Sequence, residues 1–382
     1  MNQPADQPSP PSSRRSGPTD DPLGEVSRRR ETMLSASRST SAPAGLLEPA
    51  SRVRGVVRAR AHCKARLLEF LSAYAILFGF LMHYYRVVTA FPFYGIGFAA
   101  SVRSVADGRA YAPFQYRVLA PWLLVAISRL ARVPMNEAFL LLDGVTLFAG
   151  FYVLAKLAAI VDEPGIRSLC ALYVAYFGYG AVLYPKPETM LCFAAVSLGS
   201  VHFLSRARGV RHWLSIAGLS LVFSLSRVDL LATYSVSYFS RYWRDRRWQD
   251  LATGLALNCL GAVALLFLKR LYPIGYAPGD KPFQLWTNLT HADVLIAGAF
   301  LCPFVVATSA GWRRKSWREI LADDINLLAG WFAAELLLCL AFGRPREIRL
   351  FFPFSGLLAV LAINALLPRG FALWEDSAAP CE

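Results

Sequence analysis

Charge is scarce in this 382-residue chain, and acid is scarcer than base. Only 17% of its residues are charged, 26 acidic against 40 basic, for a formal net charge of +14. Together with a hydrophobic share of 55%, this excludes an ordinary water-soluble globule. Lysine is almost missing, 6 against 34 arginines, a bias expected of a GC-rich bacterial genome. Ligand spacing is missing too. The seven cysteines are scattered, five of them in apolar runs and none in a CxxC, and no two of the five histidines stand at ligand spacing. We therefore expect no metal, no cofactor and no disulfide framework. The first residues also lack the apolar core of a signal peptide.

What the chain does have is apolar sequence in long pieces. A helix crossing a hydrocarbon core of roughly 30 Å needs about 20 apolar residues. Runs of about that length follow one another from residue 67 to residue 367, separated by short polar breaks. They are too long and continuous for barrel strands, which leaves helices. The expected fold is all-α, a polytopic integral membrane protein with about ten transmembrane helices. Spans are placed at about 67–89, 136–160, 166–184, 189–205, 212–227, 228–240, 251–271, 293–311, 325–343 and 350–367. Residues 1–66, rich in Pro, Ser, Arg and Asp, are expected to form a disordered basic cytoplasmic tail, and 368–382 a short cytoplasmic C-terminal tail.

The polar breaks are of two kinds, and the kinds alternate. One is Arg-rich: Arg206, Arg208 and Arg211; Arg241, Arg244, Arg246 and Arg247; Arg313, Arg314, Lys315 and Arg318. The other mixes bases with acids and prolines: Lys186 and Glu188, Arg227 and Asp229, and Arg344 through Arg349. By the positive-inside rule the first kind faces the cytoplasm and the second the outside. Residues 118–128 decide the sidedness. That run is only about 16 Å of helix, half of what crossing needs. Counted as a span, it puts the Arg-rich breaks outside. Read as a half-inserted interfacial helix, it leaves all three inside, and we adopt that reading. The chain is then expected in a bacterial inner membrane with its N-terminus in the cytoplasm. The positive charge before the first span, Arg52 to Arg66, is expected to meet anionic membrane lipids, not nucleic acid. Spans 212–227 and 228–240 are short, so the Arg227/Asp229 tip is expected below the outer interface, lining a cavity.

An outer loop with Asp107-Gly-Arg-Ala-Tyr111 leads into Gln115-Tyr-Arg-Val-Leu-Ala-Pro121-Trp-Leu, and an Arg-x-Glu-x-Arg break comes late in the chain. This layout resembles polytopic bacterial membrane proteins related to the GT-C glycosyltransferases. The resemblance covers about residues 67–367. It implies transfer of a sugar from a polyprenyl-phosphate-linked donor to an extracytoplasmic acceptor. Such enzymes commonly carry an acid soon after the first span. Here His83 to Gly97 holds no carboxylate, and Asp107 is the first acid.

The chemistry needs a base for the acceptor hydroxyl and cations for the phosphate. Asp107 is the first candidate for base, with Glu347 and Asp229 behind it; Asp107 also fits a plain Asp-Gly turn. Arg117, Lys186, Arg227, Arg344, Arg346 and Arg349 are candidates for the lipid phosphate, since arginine's fork matches phosphate oxygens. Glu188 joins them as a substrate-site candidate or as a helix-dipole residue. Asn288-Leu-Thr290 fits a glycosylation sequon, a pattern that often matches by chance. Two other readings stay open: a non-catalytic carrier or flippase of a lipid-linked substrate, and an envelope-assembly membrane protein with protein partners.

Overall fold

A computed structural model describes residues 70–82, 98–111, 116–158, 164–182, 186, 188–275, 283–290, 293–343 and 348–366. Both expected tails lie outside the described residues, as do Arg344, Arg346 and Glu347. Among the described residues the structure is helical, with no strand. The helices are α1 (Phe70–Met82), α2 (Phe98–Ala106), α3 (Leu119–Ala131), α4 (Met135–Leu157), α5 (Pro164–Val182), α6 (Glu188–Leu204) and α7 (Gly209–Ser226). They continue with α8 (Asp229–Asp245), α9 (Trp248–Leu271), α10 (Leu285–Thr290), α11 (Asp293–Trp312), α12 (Trp317–Ala322), α13 (Asp324–Phe342) and α14 (Ser355–Leu366).

Four of these are long and apolar enough to cross a membrane: α4, α9, Val294–Trp312 of α11, and α13. Phe70–Met82, α3, α6 and Phe352–Leu366 are apolar but shorter. Within the apolar stretch of α4 61% is buried, against 28% for α9 and 22% for α11, so α4 is central and the other two peripheral. The outer faces of α9 and α11 present Leu255, Val263, Leu266, Phe267, Leu295 and Val306. An apolar surface of that extent suits lipid better than water. The described part of the chain is thus all-helical, with the apolar helices of a membrane protein.

Contacts between helices give their directions. Phe70 meets Phe151 while Phe78 fills the space at Gly144, so α1 and α4 are antiparallel. Thr233 meets Trp331 and Arg244 meets Asp324, so α8 and α13 are antiparallel. Gly261 lies against Leu231 and Gly254 against Phe239, which sets α9 against α8 in the same way. The starts of α6 and α8 and the ends of α7, α9 and α13 therefore gather at one end of the bundle. The Arg-rich turns gather at the other.

Helix α3 begins at the first of these ends, where Trp122 Nε1 donates to the carbonyl of Ala106 at 3.2 Å. Helix α4 starts at the same end, because Asp143 lies within electrostatic reach of Glu188 in the first turn of α6 while Gly150, further along α4, lies against Phe193. Only thirteen residues long, α3 leaves from and returns to one end of the bundle.

The last apolar run departs from the expected continuous helix. It opens as two 3-10 turns, Ile348–Leu350 and Phe352–Phe354, and becomes α-helical only at Ser355. Pro353 has no N–H for the helical ladder and restricts the residue before it. The Arg-rich turns are tight. Two of them hold a left-handed arginine, Arg206 (φ 47°) and Arg246 (φ 57°), where glycine is usual, and Arg132 (φ 55°) does the same between α3 and α4.

Candidate functional site

The site forms where α7 breaks into α8. Arg227 is extended (φ −153°, ψ 92°), and its N–H still closes α7 on the carbonyl of Phe223 at 2.7 Å. Its buried guanidinium donates to the carboxylates of Asp229 and Glu335 and, at 3.0 Å, to the carbonyl of Leu350. Glu335, on α13, is fully buried. Its second oxygen accepts from Thr233 Oγ1 at 3.1 Å, and Trp331 Nε1 donates to that hydroxyl at 3.2 Å. A buried carboxylate held by a cation and a hydroxyl is well satisfied.

A second ion group adjoins the first. Glu188, in the opening turn of α6, takes Arg117 Nη1 at 2.7 Å and has Arg349 Nη1 at 3.6 Å. Arg117 stands just before α3, and Arg349 belongs to the first 3-10 turn. Arg117, Glu188, Thr189, Cys192, Arg227 and Arg349, with Leu350 and Pro353, line a cavity of about 10 Å³, the room of one water.

The arrangement is recessed. Gly261 of α9 is level with the carbonyl of Val228 at the α7–α8 tip. Helix α9 runs on for about ten residues, or roughly 15 Å, beyond that point. Exposure falls inward, from 34% for Asp229 and 16% for Arg117 to 3% for Arg227 and nil for Glu335. Three arginines face three carboxylates, with Lys186 within electrostatic reach of Glu188.

Of the residues singled out from sequence, Arg117, Glu188, Arg227, Asp229 and Arg349 meet here, and Lys186 lies beside them. Asp107 stands apart in an exposed turn at the same end, with no ion pair among the described residues. That turn depends on Gly108 (φ 71°), where an added Cβ would strike the Tyr272 ring. Sequence reasoning missed Glu335 although it interrupts a long apolar run, the signal that marks an intramembrane acid as functional. It also missed Asp143, another acid inside an apolar helix. At Asn288 the amide is already engaged. It is buried and donates to the carbonyls of Leu340 at 2.7 Å and Gly343 at 2.8 Å, capping the end of α13. The sequon is therefore not a free surface site.

The opposite end is not idle. Arg206 and Arg244 converge on Asp324, Arg206 at 2.6 Å, and Arg244 also pairs with Asp245 at 2.6 Å. Arg241 pairs with Asp250 at 2.6 Å and donates to the carbonyl of Phe203 at 2.8 Å. Beside them His202 and His212 are hydrogen-bonded at 3.1 Å. These contacts tie the α6–α7, α8–α9 and α12–α13 turns together. Among the described residues no cluster of acids, histidines and cysteines suits a metal. No known protein family, curated protein or solved structure matches the chain.

Proposed function

We propose that this protein transfers a sugar from a polyprenyl-phosphate-linked donor to an extracytoplasmic acceptor, working from the recessed end of the bundle. One observation carries the reading: three arginines from three distant chain segments, Arg227 and Arg349 buried and Arg117 partly so, converge on one recessed cavity. Arginine forks stabilise phosphate charge as the bond to the sugar breaks. On this reading about ten helices cross a bacterial inner membrane, with the Arg-rich turns and the N-terminus in the cytoplasm. Helix α3 lies half-inserted at the outer surface, and the lipid tail stays in the bilayer. Asp229, the most open carboxylate of the group and paired with Arg227, is the base on this reading, and Asp107 is the alternative from the outer loop.

A second reading has its own support. All three carboxylates of the site are engaged in ion pairs, so a carrier of a lipid-linked substrate would need no further base. The deciding experiment uses purified protein in proteoliposomes with a panel of labelled polyprenyl-phosphate sugars. Transfer that is lost in both Arg117→Ala and Asp229→Asn supports the transferase. Binding without transfer for every donor supports the carrier, and binding of none overturns both.

A further inference from the structure

Asp143 sits in the ninth position of α4, 2% exposed, and its Oδ1 has no hydrogen-bond partner. A buried carboxyl group without a partner is costly, and it asks for an explanation. Register supplies one. Gly150 faces α6, since a Cβ there would meet the Phe193 ring and come within 3.4 Å of the Ala194 Cα. Asp143 lies seven residues earlier, on the same face and about two turns nearer the recessed end. Helices α4 and α6 are parallel, which brings Asp143 level with the first turn of α6, where Glu188 is.

Glu188 occupies the place a phosphate would take between Arg117 and Arg349. With three arginines against three carboxylates, an entering anion must compete with it. A displaced carboxylate at this depth needs a new partner, and Asp143 is the group at hand. We propose that Asp143 is a second seat for Glu188. A lipid phosphodiester displaces Glu188 from Arg117 and Arg349, and the freed carboxylate joins Asp143 through one shared proton. The inference rests on the reading of this site as one for a lipid-linked phosphate.

The surroundings are consistent with that exchange. Glu188 is faced by Arg117 ahead of α3, Arg349 of the 3-10 turn, Lys186 on its own segment, and Asp143 of α4. Arg227 and Asp229 lie across the cavity, and Cys192 one turn along α6. Beside Asp143, among the described residues, α1 packs Phe78 against Gly144. A proton held between two carboxylates is bound more tightly than one on a lone acid with no partner. The anion-bound state therefore holds the proton better, and by linkage affinity falls as pH rises, by up to about tenfold per pH unit for one proton.

The test is binding of a farnesyl sugar phosphodiester, whose charge is constant over the range used, to full-length protein in nanodiscs between about pH 5 and 9. Wild type should bind more weakly as pH rises. Asp143→Asn should lose that slope, because its amide offers Glu188 an N–H at every pH. Glu188→Gln should bind more tightly and without a slope. A flat wild-type profile overturns the inference even if no variant folds, and so does a slope that persists in Asp143→Asn. If the diester binds at no pH, the parent reading fails and this one with it; binding with a flat profile sinks this one alone.

Discussion

Replacing Arg227 by methionine tests whether the ion group at the α7–α8 break is held together as described. The guanidinium donates to Glu335, Asp229 and the Leu350 carbonyl. Asp229 is 34% exposed and can turn to water, but Glu335 is fully buried and would keep only Thr233 and Cys339. Removing one partner of a buried pair typically costs about 3–5 kcal/mol, because the other charge is left uncompensated. With the usual unfolding entropy per residue scaled to the roughly 260 residues that the structure describes, that is a fall in Tm of roughly 5–9 °C. Replacing both residues, as Arg227→Met with Glu335→Met, removes the stranded charge and should restore much of the loss. Tryptophan fluorescence during heating of detergent-solubilised protein reads all three Tm values under one scan rate. The reasoning is refuted if the single variant melts within about 2 °C of wild type, or if the double variant melts as low as the single.

Single cysteines at positions 186, 208 and 315 in a cysteine-free background test sidedness. The first should react with an impermeant thiol reagent from outside and the other two should not; the reverse pattern would place the site in the cytoplasm. Arg349→Ala should weaken lipid-phosphate binding by about 1.5–3 kcal/mol, read as a roughly 10- to 150-fold rise in Kd, and an unchanged Kd would remove it from the site. Asp229→Asn should reduce turnover at saturating donor far more than it changes donor affinity, since a base acts mainly in the transition state. If Asp107→Asn has that effect instead, the base is in the outer loop. Asn288→Ala strips two hydrogen bonds from the end of α13 and should lower Tm by a few degrees, about 1–3 kcal/mol of stability, while leaving the protein's electrophoretic mass unshifted by any glycan.

The helical architecture was legible because bilayer-length apolar runs leave few alternatives, and several helix ends fell within a few residues of their expected places. The turn between α7 and α8 was legible for a related reason: two short apolar runs with Arg227 and Asp229 between them, and in the structure that tip lies level with Gly261, short of the end of α9. Glu335 is not legible from the breaks, since this acid comes from the middle of a run and meets its partner through the antiparallel pairing of α8 and α13. In the sequence the Arg-rich turns show only their net charge. Their partners, Asp250 and Asp324, belong to the starts of neighbouring helices, and no local window brings Arg206 together with a residue more than a hundred positions away. Asp143 shows a further limit. Its isolation is a property of the folded helix face, and a sequence does not record which polar groups remain without partners.

The depth of the α7–α8 tip has an electrical consequence. A water-filled recess carries the outside potential down to its floor, so the membrane voltage falls across the thinner barrier that remains. With the outward orientation proposed above, a floor lying roughly 15 Å down in a core of about 30 Å places half the thickness on the aqueous side. A dry recess of the same depth would instead make an anion cross about half of the field to reach Arg227, at about 1 kcal/mol per charge for every 100 mV. Cell voltage, inside negative, would then oppose entry of a phosphate and favour its release. Voltage-dependent binding would show that the recess is dry, and voltage-independent binding that water fills it.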